Sequence, residues 1–331
     1  RALPGVMTAP TGHFLPLSER TASMGRMHLS RVTSEPRRFY DGGVLPRQGV
    51  PGLPPDPSAP PRIVLERHTD SGLELFSLER RIAYLDRHLG ELLVPARVGF
   101  RTDLTSTPAI FTWLVPKTGA HLPAALLHDG LVEQDHGDER ASYTSTDGYT
   151  VDRVEADRVF RDAMADTGTG VVRRWIVWAA VTLASFFVGG GTPWSTVKHW
   201  RYRLAAAGTI GVIAWLGWCA TADLFDVSWP LATQLPWMGD RSFVVELAGG
   251  LAGAIVVSLA LSVTWGRFWV AGAIGGVILA VLLHVTVGVA VLLVGYQLAE
   301  RLAHRAPLVA LGLAALVALA AVGLFAALSL G

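Results

Sequence analysis

The stretch Leu204–Ala222 reads LAAAGTIGVIAWLGWCATA and contains no charged side chain. At about 1.5 Å of rise per residue, a helix over this stretch is roughly 28 Å long. That length is close to the hydrocarbon thickness of a lipid bilayer, about 30 Å. A helix that is apolar on every face over this length predicts a membrane span rather than a surface helix of a soluble protein.

Further apolar runs follow at 243–263, 268–299 and 306–330. Together with the first run they predict an all-α transmembrane helix bundle over residues 200–331, with about four spans. As one helix, the run 268–299 would be roughly 48 Å long, which exceeds one bilayer even when tilted. It is therefore either one long helix that projects into water or two short spans that fold back near His284. We favour the single helix.

The composition of the chain changes near residue 204. Over 331 residues the mean hydropathy is +0.39 and only 17% of residues are charged, but most of the charged residues precede residue 204. This gradient predicts a soluble part in front of the membrane part. The formal net charge of +1 gives no electrostatic case for nucleic acid as a partner. The one cysteine, Cys219, lies in an apolar run, which excludes an intramolecular disulfide and argues against a thiolate metal site.

Residues 1–60 form a proline-rich segment that holds more than half of the 19 prolines of the chain. Such a composition cannot bury enough apolar surface to offset the entropy that is lost on ordering. We therefore predict a disordered tail. Docking of a protein partner on its proline-rich stretches is the alternative to a simple linker.

Residues 62–190 predict a soluble α+β domain with a small antiparallel sheet and three or four helices. Its first part holds short apolar-rich runs broken by Gly, Pro and charged residues, which is typical of strands. The strands are predicted at 62–66, 73–78, 82–85 and 91–94. The helices are predicted at 109–115, 123–133, 151–166 and 171–188, with a loop over 134–150. The helix at 171–188 either closes the domain or lies at the membrane surface, because its uncharged part is too short for an upright span.

Three places in this domain put ionisable side chains where apolar ones are expected. Asp103 follows the strand-like segment that ends near Phe100. His128 and Asp129 lie on a helix that is apolar nearly all round, and Asp157 lies on the apolar stripe of its own helix. Buried carboxylates need hydrogen-bond partners. We therefore predict that these four ionisable residues approach one another in the folded domain.

Two interpretations of the four residues remain open. In the structural one, His128 and the aspartates join a loop to helices through charge-assisted hydrogen bonds, and no cofactor is expected. In the catalytic one, Asp103, His128, Asp129 and Asp157 form the site of a hydrolase and bind a divalent metal that keeps an open position for water. The sequence has no HExxH motif, phosphate-binding glycine loop or nucleophile elbow. We favour the structural interpretation, although the sequence leaves open whether the protein is an enzyme.

An ordered set of short motifs runs through the soluble domain. The motifs are Val94-Pro95, Gly99-Phe100, Thr102-Asp103-Leu104, Ser106-Thr107-Pro108, His128-Asp129, Ala156-Asp157 and Phe160. In this order the set resembles the bacterial and phage domain-of-unknown-function 1353 family, over residues of about 62–185. Family members usually carry aromatic residues after the His-Asp pair, where this chain has Gly130-Leu131-Val132. The resemblance implies no established activity, and the occurrence of the family in phage genomes implies an envelope- or tail-related role.

Basic residues predict the orientation of the bundle. Arg201 and Arg203 precede the first span, and Arg267 lies between the second and third apolar runs, whereas the loop 223–242 is mainly acidic. The positive-inside rule therefore places the soluble domain in the cytoplasm, on a multi-pass protein of the bacterial plasma membrane. Two later arginines, at 301 and 305, agree with this orientation only if the run 268–299 is a hairpin.

The residues together predict a membrane-anchored adaptor or scaffold whose soluble domain faces the cytoplasm. Its partners are the lipid bilayer and a protein that binds the soluble domain or the proline-rich tail. The alternative is a membrane-tethered, metal-dependent hydrolase that acts on an envelope- or phage-related substrate. Glu246 and His284 are the ionisable groups within the spans, and two such groups are too few for a transport pathway.

Overall fold

A computed structural model describes residues 38–47, 49, 51–69, 74–104, 118–132, 143–187 and 191–330. The strands of the described part are β1 (Phe39–Asp41), β2 (Leu65–His68), β3 (Leu75–Leu78), β4 (Ile82–Asp86), β5 (Gly90–Val94), β6 (Tyr143–Thr144) and β7 (Thr150–Val151). The α-helices are α1 (Leu122–Val132), α2 (Arg153–Asp166), α3 (Val171–Phe187), α4 (Thr196–Leu224), α5 (Phe243–Ser262), α6 (Trp269–Val281), α7 (Leu283–Arg305) and α8 (Pro307–Leu330). The fold class is confirmed: small antiparallel sheets with helices precede a helical region with long apolar helices.

The strands predicted from the apolar runs are present, but they form separate small sheets. β1, β4 and β5 form an antiparallel sheet in the order β1-β4-β5, in which Phe39 lies opposite Tyr84. β2 and β3 pair with each other, with Leu65 opposite Leu78. β1, which was not predicted, pairs with β4 on the side opposite β5, and the predicted strands do not join into one sheet.

The described residues between 39 and 60 belong to the folded domain, whereas the tail was predicted to extend to residue 60. Phe39 is buried in the domain core, and Val44 and Leu53 exchange backbone hydrogen bonds in both directions at 3.0 Å. Pairing of β1 with β4 satisfies backbone groups that a proline-rich segment cannot satisfy within itself. The remainder of the predicted tail, residues 1–37, lies outside the described residues.

The helices of the soluble domain agree closely with their predicted ranges, with two corrections. The third predicted helix begins at Arg153 rather than 151, because the carboxylate of Asp152 caps it by accepting hydrogen bonds from the next N–H groups at 2.8 and 2.9 Å. Thr150, the last residue of the predicted loop 134–150, lies in β7, and β7 pairs with β6 inside this loop. The predicted helix at 109–115 lies outside the described residues.

One hydrophobic core joins the β1-β4-β5 sheet to α1 and α2. Its largest fully buried side chains include Tyr84, Ile82, Leu92, Leu126, Leu127 and Met164.

The close packing of α1 against β5 leaves no room for a side chain at Gly130, the residue that follows the His-Asp pair. A Cβ at this position would lie 2.6 Å from the Cβ of Val94, so a side chain would force α1 away from β5.

Among the described residues, three helical segments are long and apolar enough to cross a membrane: Thr196–Leu224, Phe243–Val281 and Leu283–Arg305. The second segment contains the turn between α5 and α6, where Gly266 has φ 59° and ψ −123°. This backbone conformation favours glycine, and it lets α6 fold back against α5. α8 is a further apolar helix after the third segment.

The apolar run 268–299 is divided at Leu282, whereas we expected a single helix. Leu282 has φ −95° and ψ 11°, outside the helical region. Backbone hydrogen bonds nevertheless continue across it, from the N–H of Leu282 to Ile278 and from the N–H of Thr286 to Leu282. The division is therefore a kink between α6 and α7 and not the hairpin that was the alternative.

Helix α3 joins the soluble domain to the bundle, since it packs on α2 and also on α6. At its end, Phe186 lies in a cluster of aromatic side chains that we call the junction cluster. The junction cluster comprises Phe186, Trp194, Tyr202, Trp265 and Phe268, which come from α3, the α3–α4 connection, α4 and the turn before α6. The predicted helix 171–188 thus serves both parts of the chain.

Candidate functional site

Three helices place polar side chains at one buried point of the soluble domain. His128 projects from α1, Asp157 from α2 and Ser185 from α3. His128 Nε2 lies 2.9 Å from Asp157 Oδ1, and the Ser185 hydroxyl donates to Asp157 Oδ2 at 2.7 Å. The carboxylate of Asp157 is therefore a bridge between α1 and α3, and its residue is only 3% exposed.

The ring of His128 is held on a second side by an aromatic contact. It stacks on Phe160, one turn after Asp157 on α2, with the ring centroids 4.8 Å apart. Residues three apart on a helix lie on the same face, so Asp157 and Phe160 reach the same imidazole. The hydrogen bond and the stacking contact together fix the orientation of the His128 ring.

Asp129 connects α1 to the segment that follows β5. The Thr102 hydroxyl donates to Asp129 Oδ2 at 2.5 Å, and the backbone of Thr102 pairs with Phe76 of β3. Burial raises the pKa of the Asp129 carboxyl, and the negative charge of Asp103 acts in the same direction. The charges of His128 and Arg153 and the hydrogen bond from Thr102 oppose this rise without cancelling it.

Arg153, at the start of α2, supplies positive charge to the site. Its Nε donates to the Ser185 hydroxyl at 3.1 Å, and its charge interacts with Asp157 and with Asp129. Burial lowers the pKa of the Arg153 guanidinium, against the two carboxylates, which raise it. One arginine therefore balances part of the negative charge of the buried Asp157 and the partly buried Asp129.

The structure places the four predicted site residues in one cluster, which we call the His–Asp cluster. His128 and Asp157 are in direct contact, and Asp129 Oδ1 lies 4.0 Å from His128 Nδ1. Asp103 lies near enough for its charge to raise the pKa of Asp129.

Thr102, Arg153 and Ser185 also belong to the His–Asp cluster, and sequence reasoning missed them. Two features of the sequence could have indicated Arg153 and Ser185. Arg153 lies four residues before Asp157 and so shares its face of α2. Ser185 and Thr182 are polar residues three apart on an otherwise apolar helix, and both are buried.

The geometry of the cluster favours a role in holding the helices together by hydrogen bonds over a role in nucleophilic catalysis. A serine nucleophile gives its proton to a histidine that an aspartate orients, so the histidine stands between the other two residues. Here the aspartate stands in the middle, and the Ser185 hydroxyl donates to Asp157 rather than to His128. Over the ranges that the structure describes, no group of three or more His, Cys, Asp and Glu side chains is placed to hold a metal ion.

The cluster and the order of the elements around it can be compared with known families. Residues 76–181 match the family model described as protein of unknown function (DUF1353). This match confirms the resemblance drawn from the sequence motifs. It runs from β3 into α3 and includes Asp103, His128, Asp129 and Asp157. No curated protein and no solved structure matches the chain.

The protein thus combines a region that matches the DUF1353 family model, which we call the DUF1353 domain, with helices that are long and apolar enough to cross a membrane. Within the DUF1353 domain, the motifs Thr102-Asp103, His128-Asp129 and Ala156-Asp157 supply most of the His–Asp cluster. Ser185 lies a few residues beyond the matched range. The domain therefore completes its buried hydrogen bonds with a residue from the second half of α3, the helix that also packs on the bundle.

The raised pKa of Asp129 leads to a testable prediction. A carboxyl whose pKa is higher in the folded than in the unfolded state favours folding when protonated, so its contribution falls as the pH rises above the unfolded value. At neutral pH, where an aspartate of the unfolded chain is ionised, Asp129 therefore opposes folding. Asp129→Asn is expected to raise the melting temperature at neutral pH by roughly 2–4 °C, about 1 kcal/mol. Thermal unfolding of the full chain in detergent would measure this change.

The pH dependence provides the check on this interpretation. The difference in melting temperature between Asp129→Asn and the unmodified chain should shrink as the pH is lowered. At low pH, Asp129 is protonated in the folded and in the unfolded chain alike, so its ionisation no longer opposes folding. Asp162→Asn, on the exposed side of α2, is the control for a general effect of removing a carboxylate. If Asp129→Asn destabilises the protein at neutral pH, the charge of Asp129 is required, and the interpretation is wrong.

Proposed function

We propose that the protein is a membrane-anchored adaptor, whose DUF1353 domain lies on the cytoplasmic side of the bacterial plasma membrane and binds a protein partner. The observation that carries this proposal is the closed His–Asp cluster. Asp157 uses both carboxylate oxygens on groups of its own chain, one on His128 and one on Ser185. A site closed in this way stabilises a fold and leaves the exposed surface of the domain to carry the function.

The connection between the domain and the bundle supports an anchoring role. A flexible linker would let a tethered enzyme reach its substrates, whereas here α3 packs on both parts and the junction cluster fills the space between them. Arg203 adds to this connection, because its guanidinium donates to the backbone carbonyls of Phe186 and Phe187 at 2.8 and 2.9 Å. The orientation of the domain is thereby coupled to that of the bundle.

The positions of the basic residues support the cytoplasmic orientation. Arg203, on the first turns of α4, and Arg267, in the turn before α6, both lie at the junction cluster. The Arg267 guanidinium lies 4.7 Å from the ring centroid of Phe268 and 6.0 Å from that of Trp194. Cationic residues at one end of a bundle are retained on the cytoplasmic side. The DUF1353 domain joins the bundle at the same end.

Accessibility of single introduced cysteines tests this orientation in the full chain. Ser228→Cys lies in the exposed connection between α4 and α5, and Ser58→Cys lies on the surface of the soluble domain. The native Cys219 is buried. In intact spheroplasts, a membrane-impermeant maleimide is expected to label Ser228→Cys and to label Ser58→Cys only after lysis. The reverse pattern would contradict the cytoplasmic placement.

A further inference from the structure

A cavity of about 200 Å³ lies beside the β2–β3 hairpin, on the segment that follows β5. Arginine dominates its wall: Arg47, Arg80, Arg81, Arg97 and Arg101 line it, against one acidic residue, Glu79. The cavity is separate from the His–Asp cluster. Arg101 lines the cavity, whereas the next residue, Thr102, directs its hydroxyl to Asp129.

The arginines of the wall are not all neutralised by acidic neighbours. Arg80 is held by Asp41 through a two-point contact of its guanidinium. Arg81 is partly buried, and its Nε has no hydrogen-bond partner among the described residues. A buried donor without a protein partner is unfavourable, and an acceptor bound against Arg81 would stabilise its guanidinium.

Two other polar residues of the wall, His68 and Ser77, lie 2.9 Å apart and hydrogen-bond to each other. The remaining wall is mainly apolar and includes Leu45, Val98 and Phe100. A guanidinium presents a planar fork of N–H donors, which matches the oxygens of phosphate and carboxylate groups. Several arginines in one wall favour the more highly charged phosphate over a single carboxylate. An apolar wall next to these donors favours an anion that carries an apolar body over an inorganic ion.

We propose that this cavity binds the phosphate group of an organic phosphomonoester, with Arg81 and Arg47 as ligands of the phosphate and Phe100 in contact with the apolar part. The phosphomonoester comes either from a soluble metabolite or from the headgroup of an acidic lipid. The adaptor function does not require this site, so the inference goes beyond it and can fail on its own.

Titration calorimetry of phenyl phosphate into the full chain, held in phosphatidylcholine nanodiscs, tests the proposal. Binding with one ligand per chain is expected, and phenol should not bind. Arg81→Gln and Arg47→Gln should each weaken binding roughly tenfold, since each removes a charged hydrogen-bonding partner. Arg62→Gln is the matched control, because Arg62 is exposed and does not line the cavity. Arg47 is exposed, so Arg47→Gln should fold normally. This variant therefore tests the proposal if Arg81→Gln fails to fold.

The outcomes distinguish a specific binding site in the cavity from general electrostatic attraction. The proposal is overturned if phenyl phosphate does not bind at millimolar concentration, or if Arg62→Gln weakens binding as much as Arg47→Gln does. A second series with phosphatidic acid in the nanodiscs distinguishes the two sources. If the lipid competes with phenyl phosphate, the site takes lipid headgroups. If the affinity for phenyl phosphate is unchanged by the lipid, the site takes a soluble ligand.

Discussion

Replacement of Asp157 by alanine is expected to lower the melting temperature of the protein by roughly 6–20 °C. Removal of one partner from a buried charged pair costs about 3–5 kcal/mol, and each kcal/mol shifts the midpoint of a domain of this size by about 2–4 °C. The loss would be large because Asp157 accepts from both His128 and Ser185. Without the carboxylate, both groups stay buried without their acceptor. Thermal unfolding of the full chain in nanodiscs would measure the change.

A second aspartate on the same helix is the matched control. Asp162 is also on α2, but its side chain is 23% exposed and its partners, Arg158 and Arg161, lie near the surface. Exposed ion pairs contribute about 0–1 kcal/mol, so Asp162→Ala should shift the midpoint far less than Asp157→Ala. Equal shifts for the two variants would show that the His–Asp cluster contributes no more than a surface pair.

A chelator distinguishes the structural role of the cluster from the metal-dependent alternative. If hydrogen bonds alone hold the cluster, the melting temperature of the unmodified chain should not change on addition of EDTA. A ligand that binds only the folded state stabilises it, so removal of a resident metal would lower the midpoint. A fall that added divalent metal reverses, and that is absent in Asp157→Ala, would favour the hydrolase over the adaptor.

The His–Asp cluster shows what the sequence can reveal of a buried site. Asp157 stands out because it is a carboxylate on the apolar stripe of α2, and His128 stands out because α1 is apolar nearly all round. Each signal is local and follows from helical periodicity. Ser185 is different, since a serine in an apolar helix has no evident partner until the packing of α3 on α2 is known. The sequence therefore finds His128 and the aspartates, and it misses Arg153 and the neutral members.

The fold shows the same division between local and long-range causes. The ranges of β4, β5, α1 and α2 follow from hydrophobic pattern and were predicted to within a few residues. β1 was missed because its three residues become a strand only by pairing with β4, some forty residues later in the chain. Short strands of this kind depend on distant partners that periodicity does not show.

The kink at Leu282 also has a cause that lies outside the local sequence. The residues around it include neither proline nor, within five positions on either side, glycine, which are the usual signs of a kink. Two residues later, His284 Nε2 lies 2.7 Å from the Thr221 hydroxyl of α4. α7 thus contacts α4 immediately after the kink. The kink therefore lies beside a contact between helices that the apolar run alone does not show.

Replacement of Phe186 by alanine is expected to destabilise the protein by about 3–5 kcal/mol, the usual effect of removing a large aromatic side chain from a core. Phe186 is fully buried and stacks on Tyr202, with the ring centroids 5.1 Å apart. It also packs edge-on against Trp265 and Phe268 at 5.2 and 5.3 Å. Among the described residues of α3, Phe186 is the fully buried member of the junction cluster. The variant should therefore loosen the connection between the DUF1353 domain and the bundle.

Hydrogen exchange followed by mass spectrometry would show where the connection loosens. In Phe186→Ala, amide exchange should become faster in the second half of α3 and in the turn Val263–Phe268. The aromatic contacts of Phe186 are absent in this variant, so local opening of these segments costs less free energy. Exchange in α7 should not change, since α7 has no buried residue in contact with the cluster. Phe187→Ala is the matched control, as the neighbouring side chain is 47% exposed. If both variants accelerate exchange equally, the junction cluster does not couple the domain to the bundle, and α3 would connect the two as a simple tether.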